Sequence, residues 1–225
     1  MWSPIIISLE VAGAATVFAF FLGLFAAWNT VKLRRMKAVF DGLFTLPMVL
    51  PPTVIGFFLL LIFGRNGLIG NWLAEIGLPI VFSIRGAVIA ATVVAFPMMY
   101  RTARGAFESL DRDLVSAARV CGASETRIFW QIIVPTCRPG IASGTVLAFA
   151  RALGEFGATS MLAGNIPGRT QTMSLAIYSA VQSNERGTAY AWVAVIILIS
   201  FTTLALINLF EGGFGERAAR TRTKI

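Results

Sequence analysis

Apolar residues come along this chain in five long runs separated by short polar stretches, and the lengths of the runs decide what they form. Residues 5–28 are a 24-residue apolar run broken by a charge only at Glu10, enough helix to cross about 30 Å of hydrocarbon. Glu10 then lies near one membrane interface, where its carboxylate reaches water or assists the helix start. A second run, residues 41–64, carries Pro47, Pro51 and Pro52, which remove backbone hydrogen bonds and predict a break covered by neighbouring protein or a cavity. The third, residues 86–100, is interrupted by Pro97, and its helix is expected to continue through Arg101 and Arg104. Residues 140–163 and 189–210 complete the set. Between the second and third runs, residues 65–85 predict a short amphipathic helix on the membrane surface with Trp72 at headgroup level. Residues 173–181 predict another short helix that does not span. The expectation is an all-α, polytopic membrane protein, one transmembrane domain over residues 1–225 with five spans, or six if a short outer helix inserts.

The polar island between the third and fourth runs, residues 116–135 within a loop of about 108–139, has the pattern helix, tight turn, helix. Asp111 is placed to cap a first helix with an apolar stripe of Leu114, Ala118 and Cys121, and Gly122 suits the left-handed residue that closes it. Ser124 caps a second, whose apolar side is Ile128, Phe129, Ile132 and Ile133 and which Pro135 ends. Two helices joined this way, on a basic chain, also describe a DNA-binding element, but the flanking spans leave no soluble core to support one, so no nucleic-acid partner is expected.

Composition agrees with the runs: 56% of residues are hydrophobic and 13% charged, with a mean hydropathy of +0.76. The net charge of +8 is a matter of sidedness. With the five spans in place, 14 of the 19 Lys and Arg fall on one side, four on the other and one, Arg151, inside the membrane. The cluster Lys32, Arg34, Arg35 and Lys37 after the first span and Arg217, Arg220, Arg222 and Lys224 in the tail put the N-terminus outside and the C-terminus in the cytoplasm. A cleaved signal peptide would start with a basic segment, which is missing here. Cys121 and Cys137 fall in the cytoplasmic loop, where thiols stay reduced.

The fourth run holds the candidate chemistry. Gly144, Ala148 and Ala152 recur every four residues and give a small-residue face for close helix approach. Arg151 lies about 16 Å along that span, close to the midplane, with Glu155 one turn further. Ionisable groups at that depth are paired or hydrated, so these two either hold helices together or serve a passing anion. Catalytic patterns are missing. The three lysines follow Val31, Met36 and Thr223, so there is no Gly-Lys-Ser/Thr phosphate loop, and the sequence has no His, no metal-spaced Cys pair and no Gly-x-Ser-x-Gly elbow. Neither enzyme activity nor a metal or cofactor is expected in this chain.

The loop spacing resembles the signature of ABC importer permeases, Glu-Ala-Ala, three residues, Gly, nine residues, Ile, one residue, Leu-Pro. Here it is Ser116-Ala117-Ala118, Gly122, Ile132, Val134-Pro135, with Ser116 in place of the Glu and Val134 in place of the Leu. The stretch FARALGEFGATSMLAGNIPGRTQT closely resembles molybdate permeases and, less closely, sulfate and thiosulfate permeases; TLPMVLPPTVIGFFLL favours molybdate. The resemblance implies a homodimeric ABC permease with its pathway between the two copies, fed by an external oxyanion-binding protein. Two separate ATPase subunits, which bind ATP and Mg, would grip the loop residues named above. Pathway or interface candidates are then Arg151, Gly154, Glu155, Gly157, Pro51 and Pro52. A sulfate, thiosulfate or tungstate permease is the alternative within the class, and a passive anion channel the alternative outside it.

Overall fold

A computed structural model describes residues 2–33, 35–67 and 69–222, with side chains given to Ala205 except that of Arg112. The basic side chains of Arg34, Arg217, Arg220, Arg222 and Lys224, counted in the charge asymmetry, lie outside that description. The described chain is helical: α1 (Ser3–Lys32), α2 (Lys37–Val49), α3 (Pro52–Phe63), α4 (Gly70–Glu75), α5 (Ile84–Glu108) and α6 (Arg112–Val120). Then α7 (Glu125–Ile128) passes through a π turn (Phe129–Ile133) into α8 (Val134–Thr136), followed by α9 (Arg138–Leu153), α10 (Gly157–Ala163), α11 (Met173–Gln182) and α12 (Arg186–Arg222).

The centre is α1, α5 and α9, and small residues make it compact. Ala12, Ala15, Ala19 and Ala27 of α1 and Ala87, Ala91 and Ala95 of α5 have no exposed surface. A Cβ on Gly23 would come within 2.7 Å of Met99 Cγ, and one on Gly144 within 3.0 Å of Thr102 Cβ, so both glycines are there because α5 lies against them. Gly144, Ala148 and Ala152 are indeed a buried face, and the helix that Gly144 admits belongs to the same chain.

Among the described residues three helices are long and apolar enough to cross a membrane uninterrupted: α1, α5 and α12 over Arg186–Ala205. The count reaches five only with two bent pairs, α2 with α3 at 109° and Glu125–Thr136 with Arg138–Leu153 at 74°. The break expected at Pro51 is present, with extended backbone at Leu50 and Pro51. Three expectations are corrected. Pro97 does not interrupt the third span, because α5 runs through it for 25 residues and the buried ring is covered by neighbouring helices. Residues 140–163 are not one helix, since α9 stops at Leu153 and α10 starts at Gly157. Nor does Pro135 end the second loop helix; it sits at the start of α8, and the chain turns instead at Cys137. Towards the other end of the bundle, α11 is tied to α1 by Met173 N–H donating to Ser8 Oγ at 2.8 Å. Helix α12 lies at the periphery, with only 6% of its apolar window buried.

Candidate functional site: a capped loop and two broken helices

The loop forms as its capping residues predict. Asp111 Oδ1 accepts from Asp113 N–H at 2.9 Å at the start of α6, and Ser124 Oγ accepts from Arg127 N–H at 3.3 Å at the start of α7. Gly122 has φ +79°, the left-handed conformation the turn requires. Ile128 and Ile133 are buried, and Phe129 and Ile132 half-buried, against Trp28 and Phe107 of the core. The stripe assigned to α6 is a correction: Leu114 and Cys121 are exposed, and the inward side is Val115 and Ala118, both half-buried. Ser116, Ala117 and Gly122 are exposed, while Val134 and Pro135 are half-buried. The turn is braced by Arg119, whose Nε and Nη2 donate to Glu125 Oε1 and Oε2 at 2.5 and 3.1 Å. Those bonds hold the Glu125 carboxyl below its ordinary range. Cys137 is buried and its Sγ donates to Ala106 O at 3.3 Å. Among the described residues no group of three or more side chains could hold a metal ion.

The second cluster is where the two helix breaks meet. A Cβ on Gly157 would lie 2.9 Å from Pro52 Cβ, and one on Gly56 would lie 2.7 Å from Met161 Cβ and 2.9 Å from Ala158 Cα. Thus α3 and α10 touch along their backbones, with Pro52 against the start of α10. At that start Glu155, only 2% exposed, accepts from Ala158 N–H at Oε1 (2.8 Å) and from Arg151 Nη1 at Oε2 (2.7 Å). The carboxylate therefore caps α10 and neutralises Arg151. Arg151 keeps 29% of its side chain exposed, against 1% for Glu155. Gly154 and Pro51 are exposed. The structure thus gathers Arg151, Gly154, Glu155, Gly157, Pro51 and Pro52 at one place, separate from the loop.

One cluster escaped the sequence reading. Tyr100, Arg104 and Glu108 lie at i, i+4 and i+8 on α5, facing Lys37 and Asp41 at i and i+4 on α2. Asp41 accepts from Tyr100 Oη and pairs with Arg104. Glu108 Oε1 lies 2.8 Å from Lys37 Nζ and 3.3 Å from Arg104 Nε, the latter without hydrogen-bond geometry. The i, i+4 spacings were visible in the sequence; that they face one another depends on how α2 packs.

Comparison with known proteins agrees with this architecture. Residues 19–214 match the family model for the binding-protein-dependent transport system inner membrane component. The molybdenum transport system permease of Escherichia coli strain K12 is 42% identical over 223 residues, covering 98% of this chain and 96% of that one. A molybdenum transport system permease of Bacillus subtilis strain 168, so named provisionally, is 45% identical over 211 residues, covering 92% of each. Among solved structures, a methionine ABC transporter superposes with a TM-score of 0.73 at 16% identity, over 95% of this chain and 96% of that one. With its loop, its broken helices and a match over most of its length, the chain belongs to the family of binding-protein-dependent transport system inner membrane components.

Proposed function

We propose that this chain is the membrane-spanning subunit of an ATP-driven importer of molybdate. The observation that carries the reading is identity above 40% to molybdenum permeases over nearly the whole chain. In this reading two copies form the pathway between them, the N-terminus faces outward, and the loop of about 108–139 faces the cytoplasm. An external protein delivers the anion, and two ATPase subunits, holding ATP and Mg, grip the loops. Exposed Ala117 and Gly122 support the docking role, because small side chains let a partner's backbone approach. ATP binding closes the ATPase pair and draws the loops together, and the two broken helices are where the spans can change direction.

For Arg151 the geometry supports a packing role over an anion site, since Glu155 already neutralises it at 2.7 Å. Cells lacking their own molybdate importer, given this chain with its ATPase and binding protein, should take up labelled molybdate, with tenfold excess sulfate leaving uptake unchanged. Sulfate competition would assign the chain to sulfate. Uptake persisting after removal of the ATPase would make it a channel.

A further inference from the structure

Helix α2 is an unusual member of the bundle because none of its residues is buried. It is held to α5 by the row of charges, by Phe44, whose ring lies 5.1 Å from Tyr100 and 5.6 Å from Phe96, and by Arg101 Nη1, 3.9 Å from Met48 Sδ, and it also touches α1. Its two ends meet the two clusters already described. At one end Glu108, paired with Lys37, is the last residue of α5, and α6 begins at Arg112. At the other, α2 stops at Val49, and Pro52 beyond the break packs on Gly157, beside the Glu155 that holds Arg151.

We propose that Lys37, Asp41, Tyr100, Arg104 and Glu108 are positioning residues that lock α2 to α5, so that movement of the loop beginning at α6 is delivered through α2 to the break against α10. This rests on the transporter reading above. A charge-assisted hydrogen bond depends steeply on distance and angle, so a row of them resists a shift of register between two helices. Displacing α2 by one residue, about 1.5 Å, would stretch the 2.8 Å Lys37–Glu108 contact and the contacts at Asp41 together. The lock therefore resists sliding while adding little to folding, because its charged side chains are a quarter to two-fifths exposed and such pairs are worth about 1 kcal/mol or less. Its loss should appear in transmission and leave assembly intact.

The test uses the complete transporter in proteoliposomes, with molybdate-loaded binding protein outside and ATP within reach of the ATPase. Molybdate moved per ATP hydrolysed is measured for the parent and for Arg104→Gln, Asp41→Asn, Lys37→Glu, Glu108→Lys and the exchange Lys37→Glu with Glu108→Lys. Each single variant should insert at parent levels and hydrolyse ATP at about the parent rate. It should move at least about five-fold less molybdate per ATP, with the half-saturating concentration of loaded binding protein unchanged. The exchange should recover part of the ratio, because it rejoins positions 37 and 108 but sets the new lysine beside Arg104; a generally weakened fold would recover none. A parent-like ratio in Arg104→Gln, equal loss of hydrolysis and transport, loss of inserted protein, or an exchange no better than its singles would each overturn the lock. A parent that couples no uptake to ATP would overturn the transporter reading instead.

Discussion

Arg151 and Glu155 are not equivalent partners, and substituting each by Gln should show it. Glu155 is 2% exposed and has two donors, Ala158 N–H at 2.8 Å and Arg151 Nη1 at 2.7 Å. Arg151→Gln leaves a buried carboxylate with one hydrogen bond and no counter-charge, a loss of about 3–5 kcal/mol. Glu155→Gln keeps an acceptor for Ala158 N–H and leaves an arginine still 29% exposed, at a cost nearer that of one hydrogen bond to a charge, about 1.5–3 kcal/mol. The first change should therefore be the worse by about 2 kcal/mol, some 30-fold in an equilibrium constant. The double variant buries no charge and should be more stable than Arg151→Gln alone, giving a coupling energy of about 2 kcal/mol. Purified variants would be compared by thermal melting in detergent and by molybdate uptake at matched membrane levels. Equal destabilisation by the two single changes, or strict additivity, would refute the asymmetry. A double variant that is stable but as inactive as Arg151→Gln would return Arg151 to the anion pathway.

Other consequences are simpler. A membrane-impermeant thiol reagent should leave both cysteines unlabelled in intact cells and label Cys121 in inside-out vesicles of the chain expressed alone, while buried Cys137 stays unlabelled; labelling from outside would invert the topology. Gly122→Val, which forces a branched side chain to φ +79°, and Ala117→Glu, on an exposed position, should leave the chain inserted while cutting molybdate moved per ATP. Parent-like transport in both would remove the loop from docking. Gly56→Leu should cost about 1–3 kcal/mol, because even a Cβ there meets Ala158 Cα at 2.9 Å. An unchanged melting temperature would contradict the close approach of α3 and α10.

The caps at Asp111 and Ser124 and the turn at Gly122 were legible because capping depends on residues a few positions apart. The side of α6 that turns inward was not. Leu114, Val115, Ala117, Ala118 and Val120, with Cys121 just after them, give a nine-residue helix apolar positions on more than one face, and contact with the core decides between them. Prolines marked the break at Pro51, yet Pro47 and Pro97 sit inside continuous helices; at Pro97 the buried ring is covered by neighbours, which lets a membrane helix absorb a missing hydrogen bond. The break after Leu153 carries no proline. Its signal was Glu155 three residues before Ala158, a side-chain cap that invites a new helix to start. Arg151 and Glu155 stood out as charges in an apolar run. Asp41 and Arg104 did not, because they lie near the ends of their runs and their partnership needs two helices to be packed first.

Accumulation against a gradient tests the central claim most directly. Proteoliposomes holding this chain, its ATPase and the external binding protein would be given labelled molybdate on the binding-protein side and ATP on the ATPase side, and the concentrations on the two sides compared. The transporter reading predicts molybdate on the ATPase side rising above the supply, with no accumulation when ATP or the ATPase is left out. Equilibration to equal concentrations by the chain alone would contradict it.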